Sequence, residues 1–265
     1  MRRLILLAAA LLATGAAAAD EALSPVPFIT TPGDVVERML QLAGTGPGDL
    51  VVDLGSGDGR IVIAAAEKFG ARGLGIELDA DLVAKSRDNA RRANVADRVS
   101  FVQGDVLAAD ISPATVVTVY LLPGLMNRLQ PRFLERLRPG TRIVSHAFAM
   151  TGWRPDRAEM MRIAKPHPGQ GDESRLYLWI VPAEVRGVWQ GAGTKLTIHQ
   201  NFQAIEIEGR VAGRELADAR ATLIGRDIAW EAGRMRFRGR MQDDRITGEL
   251  EMPERRMPLI LTRAR

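Results

Sequence analysis

Asp53, Gly55, Ser56, Gly57, Asp58 and Gly59 fall within one short stretch, DLGSGDG, which closes one apolar run and opens another. Glycines at every second position let the backbone turn tightly and leave no Cβ between it and a ligand. A turn of this kind often cradles phosphate, but a carboxylate on each side would repel one by kcal/mol in a partly dry site. The dinucleotide fingerprint also fails, because its third glycine would fall at Arg60, and no Gly-Lys-Ser/Thr follows to make a P-loop. A ligand carrying an ammonium and a sulfonium fits the charge. S-adenosylmethionine is such a ligand: its amino-acid end offers a cation to acidic side chains and a carboxylate to backbone N–H groups.

Two later acids extend the pattern. Glu77 closes the apolar segment GLGIEL, eighteen residues after Gly59, where a carboxylate can accept from both hydroxyls of a ribose. Asp105 closes RVSFVQGD, where it can accept from an adenine amino group while Val106 packs against the ring. Taken singly, Glu77 reads equally well as a surface acid and Asp105 as a cap. Three acids at successive strand ends behind one glycine turn make the shared ligand the stronger reading.

The elements that must position these residues alternate along the chain. TTPGDVVERMLQLAG carries helix signals: Thr31 as cap, Pro32 at the first helical position, Asp34 in the first turn, and Gly44 as the stop. DLVVDLG is a strand, Ile61 to Phe69 a buried helix ended by Gly70, and GLGIEL the second strand. A helix from Asp81 to about Ala93, opened by Asp79 and Asp81, precedes the strand RVSFVQGD. ATVVTVYLL and TRIVSHAF are further strands with a helix from Met126 to Leu137 between them, and RLYLWIV is a late strand. Continuous apolar strands separated by helices imply a mostly parallel α/β sheet covered on both faces, Rossmann-like, with ligands beyond the strands' carboxyl ends.

After Pro182 the pattern changes to period two. TKLTIHQ, QAIEIEG, ATLIGRDIAW, RMRFRGRM and DRITGELE alternate polar and apolar residues between Gly, Asp and Asn punctuation. This predicts a small antiparallel β sheet or barrel over 184–265, read as a packing or partner-binding module because it gathers no catalytic residue types.

Among the 265 residues the net charge is +4 with no cysteine, so disulfide, thiolate and zinc–thiolate chemistry are excluded. The basic residues are scattered, with no run interleaved with aromatics, which argues for solvated faces and against a nucleic-acid partner. His146, His167 and His199 lack metal-ligand spacing, so no metal is expected. Trp153, Trp179, Trp189 and Trp230 read as core or hinge packing. The start, MRRLILLAAALLATGAAAAD, has Arg2 and Arg3, an apolar run and an Ala17-Ala18-Ala19 end, the three-part pattern of a signal peptide over 1–19. Export, to the periplasm, is expected, with no stable membrane span after cleavage and a membrane anchor if the segment is retained.

The segments PFITTPGDVVERMLQLA, VVDLGSGDGRIVIAAA, GIELDADLV, DRVSFVQGDVL, ATVVTVYLLPGLMNRL and LRPGTRIVSHAF resemble the class I S-adenosylmethionine-dependent methyltransferases. Within that class they are most similar to the seven-strand protein lysine methyltransferases, including the mitochondrial enzymes for ATP synthase subunit c and the adenine nucleotide carrier. The resemblance runs from about Pro25 to Pro182, within a methyltransferase unit of 20–183. It implies a seven-stranded sheet and a methionine-end pocket from Asp53, Gly55, Ser56, Gly57 and Gly59. It further implies Glu77 on the ribose, Asp105 on the adenine, and Thr30 and Thr31 closing over the cofactor carboxylate. Tyr120 to Pro123, YLLP, would stand at the post-fourth-strand position that meets the acceptor, departing from the Asn/Asp-Pro-Pro-Tyr form of many amine methyltransferases. Tyr120 is the candidate for steering an amine and the loop through Pro123 for shaping its pocket; a half-buried strand aromatic is the competing reading of Tyr120. His146 can line the same cleft or serve only as a structural histidine. The implied activity is methyl transfer to a protein lysine. The alternatives are an exported binding module without turnover, meeting an envelope partner through its β tail, and a small-molecule methyltransferase.

Overall fold

The computed structural model describes residues 29–166 and 171–264, so the expected signal peptide and His167 lie outside the described residues. The first half is built from β1 (Leu50–Leu54), α2 (Arg60–Phe69), β2 (Arg72–Glu77), α3 (Ala80–Arg92), β3 (Val99–Gln103), β4 (Val116–Val119), α4 (Pro123–Arg136) and β5 (Arg142–His146), preceded by α1 (Gly33–Leu42). Two further strands, β6 (Arg157–Arg162) and β7 (Glu173–Ile180), complete a seven-stranded sheet in the order β3-β2-β1-β4-β5-β7-β6. β1 to β5 run parallel, whereas β7 runs antiparallel to β5 and to β6. The strand order reverses direction between β1 and β4, which places a crevice beyond their carboxyl ends.

Both faces are covered, as continuous apolar strands require. Val51, Val116, Val144 and Leu176 point into one cluster with Val35 and Met39 of α1, Val62 of α2 and Val83 of α3. Val52, Leu54, Val117 and Ile143 point into the other, with Met126, Leu129 and Phe133 of α4 and with Trp153 and Trp179. Asp79 caps α3, accepting from Asp81 N at 2.8 Å and Leu82 N at 3.2 Å.

Two expectations need correction. Thr31 does not cap α1; the N-cap is Pro32, whose carbonyl accepts from Val36 N at 2.9 Å, and the Thr31 hydroxyl turns inward to His146. α4 begins three residues ahead of Met126, with Pro123 in its first turn, where a missing N–H costs nothing. β6 was not anticipated from the sequence. It is an edge strand, RAEMMR, with no buried residue along its length.

The second half is one nine-stranded antiparallel sheet in the order β11-β10-β9-β8-β16-β15-β14-β13-β12. Its strands are β8 (Gly187–Gly191), β9 (Thr194–Asn201), β10 (Ala204–Val211), β11 (Arg214–Leu216), β12 (Arg220–Ile224), β13 (Asp227–Ala232), β14 (Met235–Gln242), β15 (Arg245–Met252) and β16 (Arg255–Arg263). The sheet curls until β10 lies beside β12, enclosing Trp189, Trp230, Phe237 and Leu250. Outward-facing arginines pair across strands, as in Arg236–Glu231 at 3.3 Å and Arg240–Asp227 at 2.8 Å. The two halves meet where Ala183 N donates to Gly225 O at 2.7 Å and where Trp153 stacks on Phe202.

Candidate active site

The glycine turn hooks onto the neighbouring strand. Gly55 N and Ser56 N both donate to Ile76 O, at 2.9 and 3.0 Å, and Gly59 N closes the loop onto Ser56 O at 2.9 Å. Gly59 sits at φ 81° as the residue that opens α2, and a Cβ there would lie 2.7 Å from the Phe101 ring, so only glycine fits. Gly75 of β2 is equally constrained: its Cβ would meet Phe101 at 2.5 Å and Ser56 Oγ at 2.6 Å. Ser56 Oγ is buried and has no hydrogen-bond partner among the described residues. A buried hydroxyl without a partner is costly unless a ligand supplies one.

The acids occupy the strand ends as the spacing predicts. Asp53 pairs in register with Gly75 on one side and Thr118 on the other, and Thr118 Oγ1 donates to its carboxylate at 2.7 Å. Asp53 is only 2% exposed, and burial pushes its carboxyl up to about 7; the charges of Glu77 and Asp58 push the same way, against the Thr118 hydrogen bond. Glu77 is oriented by backbone donors: Gly57 N at 2.8 Å on one oxygen, with Leu78 N at 2.8 Å and Asp79 N at 3.1 Å on the other. Asp105 is exposed and takes Leu107 N at 2.8 Å, while its carbonyl accepts from Ala108 N and Ala109 N at 3.0 Å. Val106 beside it is 8% exposed and packs in the α4-side core.

Asp58 departs from the expected negative lining. Arg60 binds it through Nε at 2.9 Å and Nη2 at 2.7 Å. Burial works against the Asp58 charge, yet the Arg60 guanidinium holds its carboxyl below the usual carboxylate value. The same guanidinium donates from Nη1 to Thr31 O at 2.9 Å. Asp58 is therefore already charge-paired, and it holds the Arg60 guanidinium that anchors the segment before α1.

At the ends of β4 and β5 the side chains are aromatic. The Tyr120 and His146 rings lie 4.1 Å apart, and Tyr120 stacks on Phe148 at 6.3 Å. Burial alone raises the Tyr120 phenol above its ordinary value. His146 is 1% exposed, and burial lowers it to about 4, so the imidazole is neutral at pH 7. Its Nδ1 shares a 3.2 Å hydrogen bond with Thr31 Oγ1. Thr31 is thus held by backbone and by side chain, while Thr30 next to it is half-buried. Leu121 lies over Gly55, and Leu122 and Pro123 are exposed at the start of α4. Among the described residues no group of three or more His, Asp or Glu comes together to hold a metal ion. His199 lies away on β9, beside Glu208 at 3.4 Å.

One edge of the sheet thus gathers Asp53, the glycine turn, Glu77, Asp105, Tyr120 and His146. Sequence reasoning missed Thr118, Arg60 and Gly75, and left His146 between two roles. The second of two threonines in the apolar run ATVVTVYLL was the only signal for Thr118.

The strand order, the crevice at its reversal and the unpartnered Ser56 hydroxyl in a glycine cradle fit an S-adenosylmethionine-dependent methyltransferase. Residues 53–157 match the family described as the ANTKMT methyltransferase domain. A protein-lysine N-methyltransferase of Saccharolobus islandicus is 43% identical over 131 residues, 49% of this chain and 81% of the relative. An adenine nucleotide translocase lysine N-methyltransferase of Mus musculus is 35% identical over 130 residues, 49% of this chain and 56% of that protein. The crystal structure of an RNA methyltransferase from Salinibacter ruber, in complex with S-adenosyl-L-homocysteine, is 51% identical with a TM-score of 0.54, covering 59% of this chain and 96% of that one. The chain belongs to this family of seven-strand, S-adenosylmethionine-dependent methyltransferases, the one that holds the protein-lysine N-methyltransferases.

Proposed function

We propose that this chain methylates the ε-amine of a lysine on a protein. The likeness that carries the reading is to the archaeal protein-lysine N-methyltransferase, 43% identical over 81% of its length. The site supports it chemically. Methyl transfer from a sulfonium is an in-line displacement that needs alignment more than acid–base groups. Bound S-adenosylmethionine supplies the activated methyl. Glu77, fixed by three backbone N–H groups, holds the ribose, and Asp105 meets the adenine amino group beside Val106. Asp53, Gly55, Ser56, Gly57 and Gly59 seat the methionine end, with Thr30 and Thr31 on its carboxylate side. Tyr120 steers the acceptor amine at an entrance walled by Leu121, Leu122 and Pro123. A lysine entering those apolar surroundings has its pKa of ~10.4 lowered, which exposes the lone pair without a dedicated base.

A second reading, an RNA acceptor, is favoured by the function given to the Salinibacter ruber protein. Against it stand the scatter of the basic residues, with no run interleaved with aromatics, and the cross-strand pairs that neutralise Arg236, Arg240 and Arg256. Tritiated methyl transfer separates the two: poly-L-lysine and RNA are offered in parallel to wild type and to Glu77→Ala. Label on poly-L-lysine that the substitution removes is the expected result; label on RNA alone overturns the lysine reading.

Export is part of the same proposal. Arg2, Arg3 and the apolar run to Ala19 support a cleaved signal, leaving the second half free to meet an envelope partner. Cell fractionation with N-terminal sequencing tests it. A mature chain beginning at Asp20 outside the cytoplasm is expected, and a cytoplasmic chain beginning at Met1 overturns it.

A further inference from the structure

The turn between β9 and β10 presses an aromatic side chain into the methyltransferase half. Phe202 stacks on Trp153 with centroids 5.3 Å apart and planes 6° from parallel. The next residue, Gln203, makes two bonds to the same segment: its Oε1 accepts from Trp153 Nε1 at 2.9 Å, and its Nε2 donates to Arg154 O at 2.6 Å. Trp153 is 1% exposed, and its carbonyl accepts from Trp179 Nε1 at 2.9 Å.

Phe202 holds this position at φ 54°. A bulky residue with a left-handed backbone is strained and persists only where its surroundings hold it there. The turn geometry by itself would favour glycine or asparagine. The stack on Trp153 offsets that strain.

What it touches leads to the acceptor side of the site. Residues 147–153 descend from the end of β5, past Phe148, to Trp153. The segment is pinned at its top by Ser145 Oγ donating to Phe148 O at 2.6 Å, midway by Thr151 N donating to Asn127 Oδ1 at 3.1 Å, and at its foot by Phe202 and Gln203. Phe148 in turn stacks on Tyr120. None of these contacts is made by Glu77 or Asp105, which stand at the ends of β2 and β3 on the other flank of the sheet.

We propose that Phe202 and Gln203 are positioning residues for the acceptor: the second half is keyed into the 147–153 segment and sets the wall against which Tyr120 steers the incoming group. The inference rests on the placing of the acceptor beside Tyr120. It assigns the C-terminal sheet a part in methyl transfer that cofactor binding does not share.

The test uses the full chain with Phe202→Gly, Phe202→Tyr and Gln203→Ala. Glycine suits φ 54° better than phenylalanine, so Phe202→Gly removes the ring while relaxing the turn. Three readouts are taken: calorimetric affinity for S-adenosylmethionine, methyl-transfer kinetics on poly-L-lysine, and amide hydrogen exchange over 147–153. Expected for Phe202→Gly and Gln203→Ala are cofactor affinity within about twofold of wild type, kcat/KM for poly-L-lysine about tenfold lower, and faster exchange in 147–153. Phe202→Tyr, which keeps the stack, is expected to match wild type. Wild-type kinetics and unchanged exchange in Phe202→Gly overturn the proposal, as does an equal loss of cofactor affinity. Should wild type transfer no methyl to poly-L-lysine, the lysine reading falls. Exchange and cofactor affinity still decide the role of Phe202: faster exchange with intact affinity upholds it, and unchanged exchange overturns it.

Discussion

Thr31 Oγ1 lies 3.2 Å from His146 Nδ1 in the buried interior, joining residues 115 positions apart. The bond fastens the segment before α1 to the end of β5, while Arg60 fastens the same residue through its carbonyl. Thr31 thereby links the glycine turn on one side to Tyr120 on the other. Thr31→Val keeps the shape, removes the hydroxyl and leaves a buried ring nitrogen without that partner. It is expected to cost about 1–3 kcal/mol of stability and to weaken S-adenosylmethionine binding. Thr31→Ser, which keeps the hydroxyl, is expected to retain most of both. Thermal denaturation and calorimetry measure the pair, and a valine variant equal to wild type in both would remove the latch from the account.

Asp53 and His146 give stability opposing pH dependences. Asp53 is raised from 3.8 to about 7, so the folded state holds its proton more tightly than the unfolded chain does. Its contribution is fullest below pH 4 and is lost as pH rises toward 7. His146 is lowered from 6.5 to about 4, so the unfolded chain binds that proton more tightly. Its contribution is full above pH 6.5 and is lost as pH falls toward 4. Asp53→Asn keeps an acceptor for Thr118 and removes the first dependence alone. Relative to wild type, the variant is expected to gain about 3 kcal/mol between pH 5 and pH 7.5. Urea denaturation at the two pH values reads it; a gain that does not grow with pH contradicts the assignment.

The same carboxyl couples cofactor binding to a proton. A cationic ligand beside Asp53 favours the carboxylate, so binding near pH 7 is expected to release a proton. The enthalpy measured calorimetrically should therefore differ between buffers of unlike ionisation enthalpy, and affinity should rise from pH 6 to pH 8. Asp53→Ala is expected to abolish both the binding and the proton release.

Glu77→Ala separates position from charge at the ribose end. The substitution strips Gly57, Leu78 and Asp79 of their shared acceptor and removes the proposed partner of the ribose hydroxyls. Loss of charge-assisted hydrogen bonds of this kind is expected to weaken S-adenosylmethionine binding about a hundredfold. Glu77→Gln, which keeps one oxygen, should lose less. Calorimetry with both variants checks the order, and equal losses would show that charge alone matters there.

How much of this was legible beforehand follows from the physics of each element. β1, β4 and β5 are apolar runs buried in a covered sheet, while β2, β3 and β7 mix buried apolar with exposed positions, and both patterns announce themselves. β6 is an edge strand of RAEMMR, half of it charged, and has no periodic apolar face to read. β8, β11 and β16 escaped for related reasons: two are short, and β16 carries Pro258 in the middle of its length. At the site, spacing alone placed Asp53, the glycine turn, Glu77 and Asp105 on one edge, because parallel strands bring their carboxyl ends together. Charge pairing was not readable: Arg60 two residues from Asp58 can face either way, and only the fold turns it back to neutralise that acid. The Thr31–His146 bond has no local signature at all.

Gly75 shows how closely the turn and its neighbouring strand are fitted. A methyl group on this residue would stand 2.5 Å from the Phe101 ring and 2.6 Å from Ser56 Oγ, with another ring carbon at 2.9 Å. Neither neighbour has room to withdraw. Phe101 is 4% exposed, and Ser56 is held through its N–H on Ile76 O. The added carbon must therefore displace the β1–α2 turn from its neighbour, separating Gly57 N from the Glu77 carboxylate that it orients. Gly75→Ala is expected to cost about 2 kcal/mol of stability, the range of overpacked cores, and to weaken S-adenosylmethionine binding at least tenfold. Gly104, where a Cβ would meet nothing within 4 Å, is the control, since alanine there should leave both quantities near wild type. Thermal denaturation and calorimetry on the two variants decide it: equal behaviour would mean that the turn tolerates an extra carbon and that the cradle is looser than its contacts indicate.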